Sequence, residues 1–473
     1  MQQNSHNVDI IVVGAGSGGL NVASFCNRIG LSVVLIDRSD EHIGGDCLNY
    51  GCVPSKALIH VAREVRAARS VSDFGLNVVG QVDIARIMQY VRDRQNIIRE
   101  HEHAEYFRSK GIIVELGEAS FTGERAVSIN GTKYTAKNIV LATGSRPRPL
   151  LLPGFETLPV YTNETIFSMT QLPKRFVFVG GGPISIELGQ AFSFLGSEVT
   201  IVHSGSRILE KEAPEVSVFM EKQLREQGVS FVFDAKPLKV EGGDMAIQTK
   251  NGEKRIHCDA VFVGIGRVLN TENLDLEKAG IEKTADGSRL IIDEYLRTTN
   301  KRVWAVGDIA GNYQFTHAAE EHAKVVINNV INPLKKKFQT HMAWVTYTSP
   351  EVATFSRSHN ELEKTGTMHE VVTVPLSEDD RAIIDSAEGF ISLSIGARGR
   401  IFGGTLVAPN AGEIVGELIL AESQGLSAID LFNRVAPYPT ASRIIRKAVG
   451  KHEGNRLTEW TKTILKILYR MKV

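Results

Sequence analysis

Residues 8–37, VDIIVVGAGSGGLNVASFCNRIGLSVVLID, constrain this chain more than any other stretch. A β-branched run is followed by a Gly-rich turn, an amphipathic segment and a second β-branched run ending in an acid, which predicts a βαβ unit. Gly14, Gly16 and Gly19 stand as G-x-G-x-x-G directly after the first strand, and Asp37 closes the second. In such a turn the glycines permit a tight bend, close approach of backbone to a pyrophosphate and close helix packing. The helix N-terminus then faces the phosphates and the acid bonds a ribose hydroxyl. The spacing alone is weak and fits an ordinary Gly-rich turn, but with strand, helix and acid in register it points to a dinucleotide site.

The same grammar returns at 175–203, RFVFVGGGPISIELGQAFSFLGSEVTIVH, so two nucleotide-binding units and two dinucleotides are expected. Gly180 and Gly182 are present in this copy, but Ser185 takes the third glycine position and His203 replaces the closing acid. An acid there would accept the 2′-hydroxyl of NADH and repel a 2′-phosphate, whereas His203, Ser204 and Arg207 could contact that phosphate. The reading leans to NADPH, with NADH left open because a basic residue is common on any loop.

At 473 residues the chain needs several cores, about three by ordinary domain size. Fifty-four Lys+Arg balance 54 Asp+Glu, so nothing asks for a nucleic-acid partner. The first residues, MQQNSHNVD, carry no basic n-region, and the apolar run after them is the fingerprint itself, so a cytoplasmic protein without an integral membrane segment is expected. Four cysteines are too few to staple such a chain, which makes any disulfide a chemical rather than an architectural one. The Pro-rich stretch at 147–153 reads as a domain crossing and GIGRVLN at 264–270 as a return. After about residue 340 the texture turns β-rich with late helices, as in a separate α+β domain.

GGDCLNYGCVPSK, 44–56, is the sharpest chemical signal. Cys47 and Cys52, four residues apart at the start of a helix-like stretch, can close a disulfide, and the helix N-terminus favours a thiolate. The alternatives are two structural cysteines or half a zinc site. The first leaves the Gly, Pro and Lys punctuation unexplained, and the second lacks a nearby second Cys/His pair.

GGDCLNYGCVPSK resembles the redox-active segment of the class I pyridine nucleotide-disulfide oxidoreductases, the family of dihydrolipoyl dehydrogenase, glutathione reductase, mercuric reductase and soluble transhydrogenase. The resemblance spans nearly the whole chain. LATGSRP (141–147), GIGRVLN, RVWAVGDIAG (302–311), FTHAA (315–319) and YTSPEVA (347–353) follow in family order. It implies an α/β fold of two Rossmann-like dinucleotide-binding domains plus a C-terminal α+β dimerisation domain. The expected division is an FAD-binding domain from 1–145 and 271–340, an NAD(P)-binding domain at 146–270 and an interface domain at 341–473. FAD and NADPH or NADH are the implied cofactors, and a homodimer with a small-molecule electron acceptor the implied assembly. Cys52 would be the flavin-proximal thiol and Cys47 the interchange thiol. Lys56 would stand near flavin N5, paired with Glu187. Asp308, Thr143, Gly144 and His317 would line the flavin cofactor, and Gly266 the nicotinamide dinucleotide.

The family's H-P-T-x-x-E, whose His and Glu move the thiol proton, stands here as Y-P-T-A-S-R, with Tyr438 for the histidine and Arg443 for the glutamate. A phenol of ordinary pKa near 10 is a poor base at neutral pH but can donate a proton or a hydrogen bond. The expected function is therefore an FAD-dependent NAD(P)H oxidoreductase with a Cys47–Cys52 disulfide, resembling dihydrolipoyl dehydrogenase without its dyad. Mercuric reductase, quinone reductase and soluble transhydrogenase activities, and a non-enzymatic redox sensor, stay open. No cysteine follows Cys258, unlike the metal-delivering tail of mercuric reductases, and both redox cysteines are kept, unlike soluble transhydrogenases. No metal site is expected. The tail LTEWTKTILKILYRMKV sets Trp460, Ile464, Ile467 and Leu468 on one helical face, with Lys462, Lys466 and Arg470 elsewhere. Such a stripe most often packs on its own domain or the dimer mate, and a peripheral membrane contact is the alternative.

Overall fold

The computed structural model describes residues 5–311, 313–338 and 342–471. The boundary expected at 340/341 lies outside the described residues. Two compact units are seen, Met1–Ser206 with Gln227–Thr340, and Arg207–Glu226 with His341–Val473.

In the first unit the strand Ser5–Val13 runs parallel to Val33–Asp37 on one side and to Thr132–Leu141 on the other. Ile113–Leu116 extends the sheet beyond Val33–Asp37, and Val303–Ala305 pairs with Thr132–Leu141. Side chains alternate across this sheet. Ile11 and Val13 join Phe121, Val127 and Ile139 in one core, while Ile10 and Val12 join Leu20, Val22, Val140 and Trp304 in another. Because both faces are covered, the strand reads as an unbroken apolar run rather than an alternation.

The second fingerprint builds a second parallel sheet, in the order Ser230–Val232, Glu198–Val202, Arg175–Val179, Ala260–Val263, Val160–Tyr161. Phe176 packs edge-on to Phe192 of the helix Pro183–Leu195, with ring centroids 5.1 Å apart. A two-stranded pairing stands just before the Pro-rich stretch 147–153 and within 264–270. Ser145–Pro147 pairs antiparallel with Arg267–Leu269, so the outgoing and returning chains are stitched together.

The C-terminal unit has an antiparallel sheet ordered Ala343–Thr346, Glu351–Ser356, Ile401–Ala408, Phe390–Gly396, His369–Pro375. Val372 and Val374 point into its core with Ile391, Leu393 and Leu418, while Val371 and Thr373 face out. The stretch Arg207–Glu226, which the sequence reading keeps within 146–270, belongs to this unit. The reason lies on one face of its helix Pro214–Glu226, where Phe219 meets Phe390 edge-on at 5.6 Å and Gln223 donates to Glu388 at 2.7 Å.

Candidate functional site

The first Gly-rich turn separates packing from binding. Gly14 holds φ +107°, and a Cβ there would lie 2.2 Å from the Ala142 carbonyl oxygen; one at Gly19 would lie 1.9 Å from the Gly14 oxygen. Both glycines are dictated by the protein's own backbone. Gly16 is different, because the nearest protein atom to a Cβ there is 3.6 Å away. Its lack of a side chain instead leaves room for a group outside the chain. Gly16 also caps the helix Ser17–Arg28 without a side-chain acceptor, so that helix offers its first N–H groups. Asp37 Oδ2 accepts the Ala15 N–H at 2.6 Å and Oδ1 the Arg38 N–H at 2.7 Å. Burial raises the Asp37 pKa, opposed by those two hydrogen bonds. The open face, the unspent N–H groups and the carboxylate fit a dinucleotide.

The second copy repeats this arrangement with altered parts. Gly180 holds φ +116° with the Gly264 carbonyl oxygen 2.2 Å from its would-be Cβ, and nothing stands within 4 Å of a Cβ on Gly182. Where Asp37 accepts from Ala15, His203 Nδ1 accepts from Gly181 at 3.1 Å. Ser185 is admitted because the facing residue is Gly264, whose own Cβ would fall 2.3 Å from the Ser185 oxygen; in the first copy the facing residue is Ala142 and the helix residue Gly19. Arg207 lies in the C-terminal unit. There its guanidinium donates to the Glu210 and Glu212 carbonyls at 2.7 and 3.0 Å and to Ser217 Oγ at 2.6 Å. That local work accounts for the arginine without a nucleotide phosphate.

The cysteines sit on adjoining short elements. Cys47 lies in the helix Gly45–Asn49 and Cys52 opens the helix Cys52–Ser70. The segment is pressed against the first fingerprint, since a Cβ on Gly45 would come 2.6 Å from the Gly16 Cα. Gln95, which the sequence reading passes over, donates to the Leu48 and Asn49 carbonyls at 2.8 and 3.0 Å and braces the short helix. Cys52 is exposed and Cys47 half-buried. The hydrogen bond from Cys47, together with Thr316 and the Lys56 charge, holds the Cys52 thiol down at about 6. The same hydrogen bond and burial push Cys47 well above the usual thiol range. The two thiols are thus driven apart, Cys52 towards its anion and Cys47 away from it. Thr316 Oγ1 stands 3.3 Å from Cys52 Sγ at the start of the helix Thr316–Ile331, a contact that FTHAA contains but its letters do not announce. Lys56 pairs with the buried Glu187 at 2.8 Å. Cys26 and Cys258 are buried in separate cores.

Asp308 accepts a short hydrogen bond from Ser145 and lies 3.6 Å from Arg267, which also reaches Asp46 at 3.1 Å. Burial raises its pKa. Arg267 Nε donates to Ser145 Oγ at 2.6 Å, so one arginine joins the crossing strands to both acids. Thr143 donates to the Asn270 carbonyl at 2.7 Å, and Gly144 and Gly266 hold φ +68° and +104° with open space at their Cβ positions. His317 stacks on Phe315 at 5.4 Å. His322, unassigned from sequence, accepts the Gly307 N–H at 3.2 Å and so fixes the turn that carries Asp308.

Tyr438 belongs to the C-terminal unit. Its phenol donates to Asp380, which raises its pKa above the ordinary tyrosine value, and the Arg443 guanidinium lies 5.1 Å from its ring centroid. Arg443 also donates to the Ala436 carbonyl at 3.2 Å.

Comparison with known proteins accounts for this arrangement. A family model described as pyridine nucleotide-disulphide oxidoreductase matches residues 8–323. The chain belongs to this family. Its dimerisation-domain model matches residues 342–449. The chain is 31% identical to a dihydrolipoyl dehydrogenase of Mycoplasma pneumoniae over 465 residues, covering 94% of this chain and 99% of the relative. It is 31% identical to a mercuric reductase of Lysinibacillus sphaericus over 453 residues, covering 94% of this chain and 82% of the relative. The fold is shared with the HOCl-induced flavoprotein disulfide reductase RclA of Escherichia coli, at a TM-score of 0.82 and 23% identity, over 93% of this chain and 99% of that one. The protein is accordingly a flavoprotein oxidoreductase of a family that uses FAD and NAD(P)H. No helix among the described residues is long and apolar enough to cross a membrane.

Proposed function

We propose that this protein is a homodimeric NAD(P)H-dependent reductase that passes two electrons through Cys47 and Cys52 to a small-molecule acceptor, with Tyr438 as a hydrogen-bond donor rather than a base. The observation that carries this reading is geometric: Cys52 opens its helix with Sγ 3.3 Å from Thr316 Oγ1, beside the Lys56–Glu187 pair, and these neighbours with Cys47 favour its anion. Gly16, the helix start at Ser17, Asp37, Thr143, Gly144, His317 and Asp308 would hold FAD. Gly180, Gly182, His203 and Gly266 would hold the nicotinamide dinucleotide. FAD, when bound, supplies the two-electron relay between nicotinamide and the cysteines. Cys52 then holds its charge as a thiolate, steadied by Thr316 and by Lys56, whose own charge is balanced by Glu187. Cys47 keeps its proton until the acceptor is engaged, and its attack on a disulfide needs that proton removed. Tyr438 donates to Asp380 and has a raised pKa, so its phenol is poorly placed for that removal at neutral pH.

The test is anaerobic turnover with NADPH and with NADH against lipoamide and against a soluble quinone, in the natural protein and in Cys47→Ser. Cysteine-dependent reduction of lipoamide, slow at pH 7 and faster in alkali, is expected. Quinone reduction that is unchanged in Cys47→Ser, with no lipoamide turnover, would sink the thiol route and leave a direct flavin reductase.

A further inference from the structure

The helix Glu459–Arg470 lies beyond residue 449, where the match to the dimerisation domain ends. None of its residues is buried, although half of them are large and apolar or aromatic. Trp460, Ile464, Ile467 and Leu468 recur at the i, i+4, i+7, i+8 spacing of one helical face, and Met471 continues it. Trp460 and Met471 are each 75% exposed, Ile467 52% and Leu468 53%. Lys462, Lys466 and Arg470 form the opposite flank, against the single acid Glu459, which Lys462 pairs at 2.7 Å. The helix is defined from within, by the Thr458 hydroxyl accepting the Thr461 N–H at 3.2 Å.

We propose that this helix lies on the surface of an anionic phospholipid bilayer, with its Trp460–Ile464–Ile467–Leu468 face among the acyl chains and its cations at the headgroups. Charge decides the occupant. Three cations flank the apolar face and the single acid is already paired, a distribution complementary to a negative lipid surface. Trp460, largely exposed, supplies an amphipathic ring that favours the headgroup boundary. Long lysine and arginine stems let the charges stay in water while the apolar face sinks. Twelve helical residues span about 18 Å, too short to cross a bilayer and suited to lying in its interface. The matched dimerisation domain ends before the helix begins.

The flavin-loaded, full-length protein is sedimented with vesicles of phosphatidylcholine and with vesicles of phosphatidylcholine mixed equally with phosphatidylglycerol. Binding to the anionic vesicles alone, weakened by salt, is expected. Lys462→Glu with Lys466→Glu should lower it roughly tenfold or more, and Ile467→Ser with Leu468→Ser should abolish it. NAD(P)H-driven dye reduction in solution should be unchanged in both variants, which shows that they are folded and loaded. Failure of the natural protein to bind, equal binding to both vesicles, or indifference to the charge reversal would overturn the proposal. Conversion of the Ile467→Ser/Leu468→Ser variant to a smaller oligomer by light scattering would also overturn it, giving the face to a second copy.

Discussion

The Cys52 thiol has Cys47, Thr316 and Lys56 as neighbours, and all three favour its anion, the first two by hydrogen bonds and the third by its charge. In the reduced protein, iodoacetamide should therefore label Cys52 with a half-maximal rate near pH 6, while Cys47 stays slow through neutral pH. Removing the charge by Lys56→Met should raise that midpoint by roughly a unit; a midpoint near 9 in the natural protein would refute the assignment of the thiolate. Tyr438 presents the converse case, a phenol committed as donor to Asp380 where the chemistry of disulfide exchange wants an acceptor. Tyr438→His with Arg443→Glu restores a base and a carboxylate able to orient it. Lipoamide turnover at pH 7 should rise by on the order of 10²-fold, with the acid limb of the pH profile moving towards neutrality. A variant no faster than the natural protein would show that the phenol is not what limits exchange.

At the scale of elements, the two βαβ units solve the same close approach of helix to strand with opposite choices. The first places Gly19 against Ala142, the second Ser185 against Gly264. The swap predicts a compensating pair. Gly264→Ala alone should destabilise by about 1–3 kcal/mol, since its Cβ would press on the Ser185 oxygen at 2.3 Å. Adding Ser185→Gly should recover much of that loss, as it removes the closest contact and leaves the Phe262 ring at 3.0 Å. Urea midpoints of the two single variants and the double variant measure the coupling, and strict additivity would remove the explanation.

For the molecule as a whole, His322 links the Asp308 turn to stability. It is fully buried, accepts from Gly307, and burial lowers its pKa to about 4 from an ordinary 6.5. Between those values the unfolded chain binds a proton that the folded one does not. Stability is therefore complete above pH 6.5, falls as pH drops towards 4, and levels below. The loss amounts to on the order of 3 kcal/mol for the unit that contains it, from the size of the shift. His322→Gln, which keeps an acceptor for Gly307 without titrating, should flatten the dependence of the urea midpoint over that window. An unchanged slope would mean that other groups govern acid sensitivity.

Both nucleotide-binding units and the thiol pair are legible in the letters, because each depends on local spacing: glycines a fixed distance from a strand, or cysteines at a helix start; the departure at Tyr438 and Arg443 is legible only against the family pattern. Lys56 with Glu187, 131 positions apart, is reached only through the family resemblance and stands as an ion pair in the fold. What the sequence could not yield are partnerships between distant segments with no periodicity to announce them. Gln95 bracing the Cys47 helix, Thr316 at Cys52 and His322 behind Asp308 are ordinary residues until the chain is folded. The same holds for Arg207, whose basic character suggests a phosphate but whose donors go to the Glu210 and Glu212 carbonyls and to Ser217 in the helix that follows. Local geometry is written in sequence because neighbouring residues share one backbone path. Which thiol is the anion, and which cation is already engaged, is decided by charges and hydrogen bonds that only tertiary packing brings within a few ångströms.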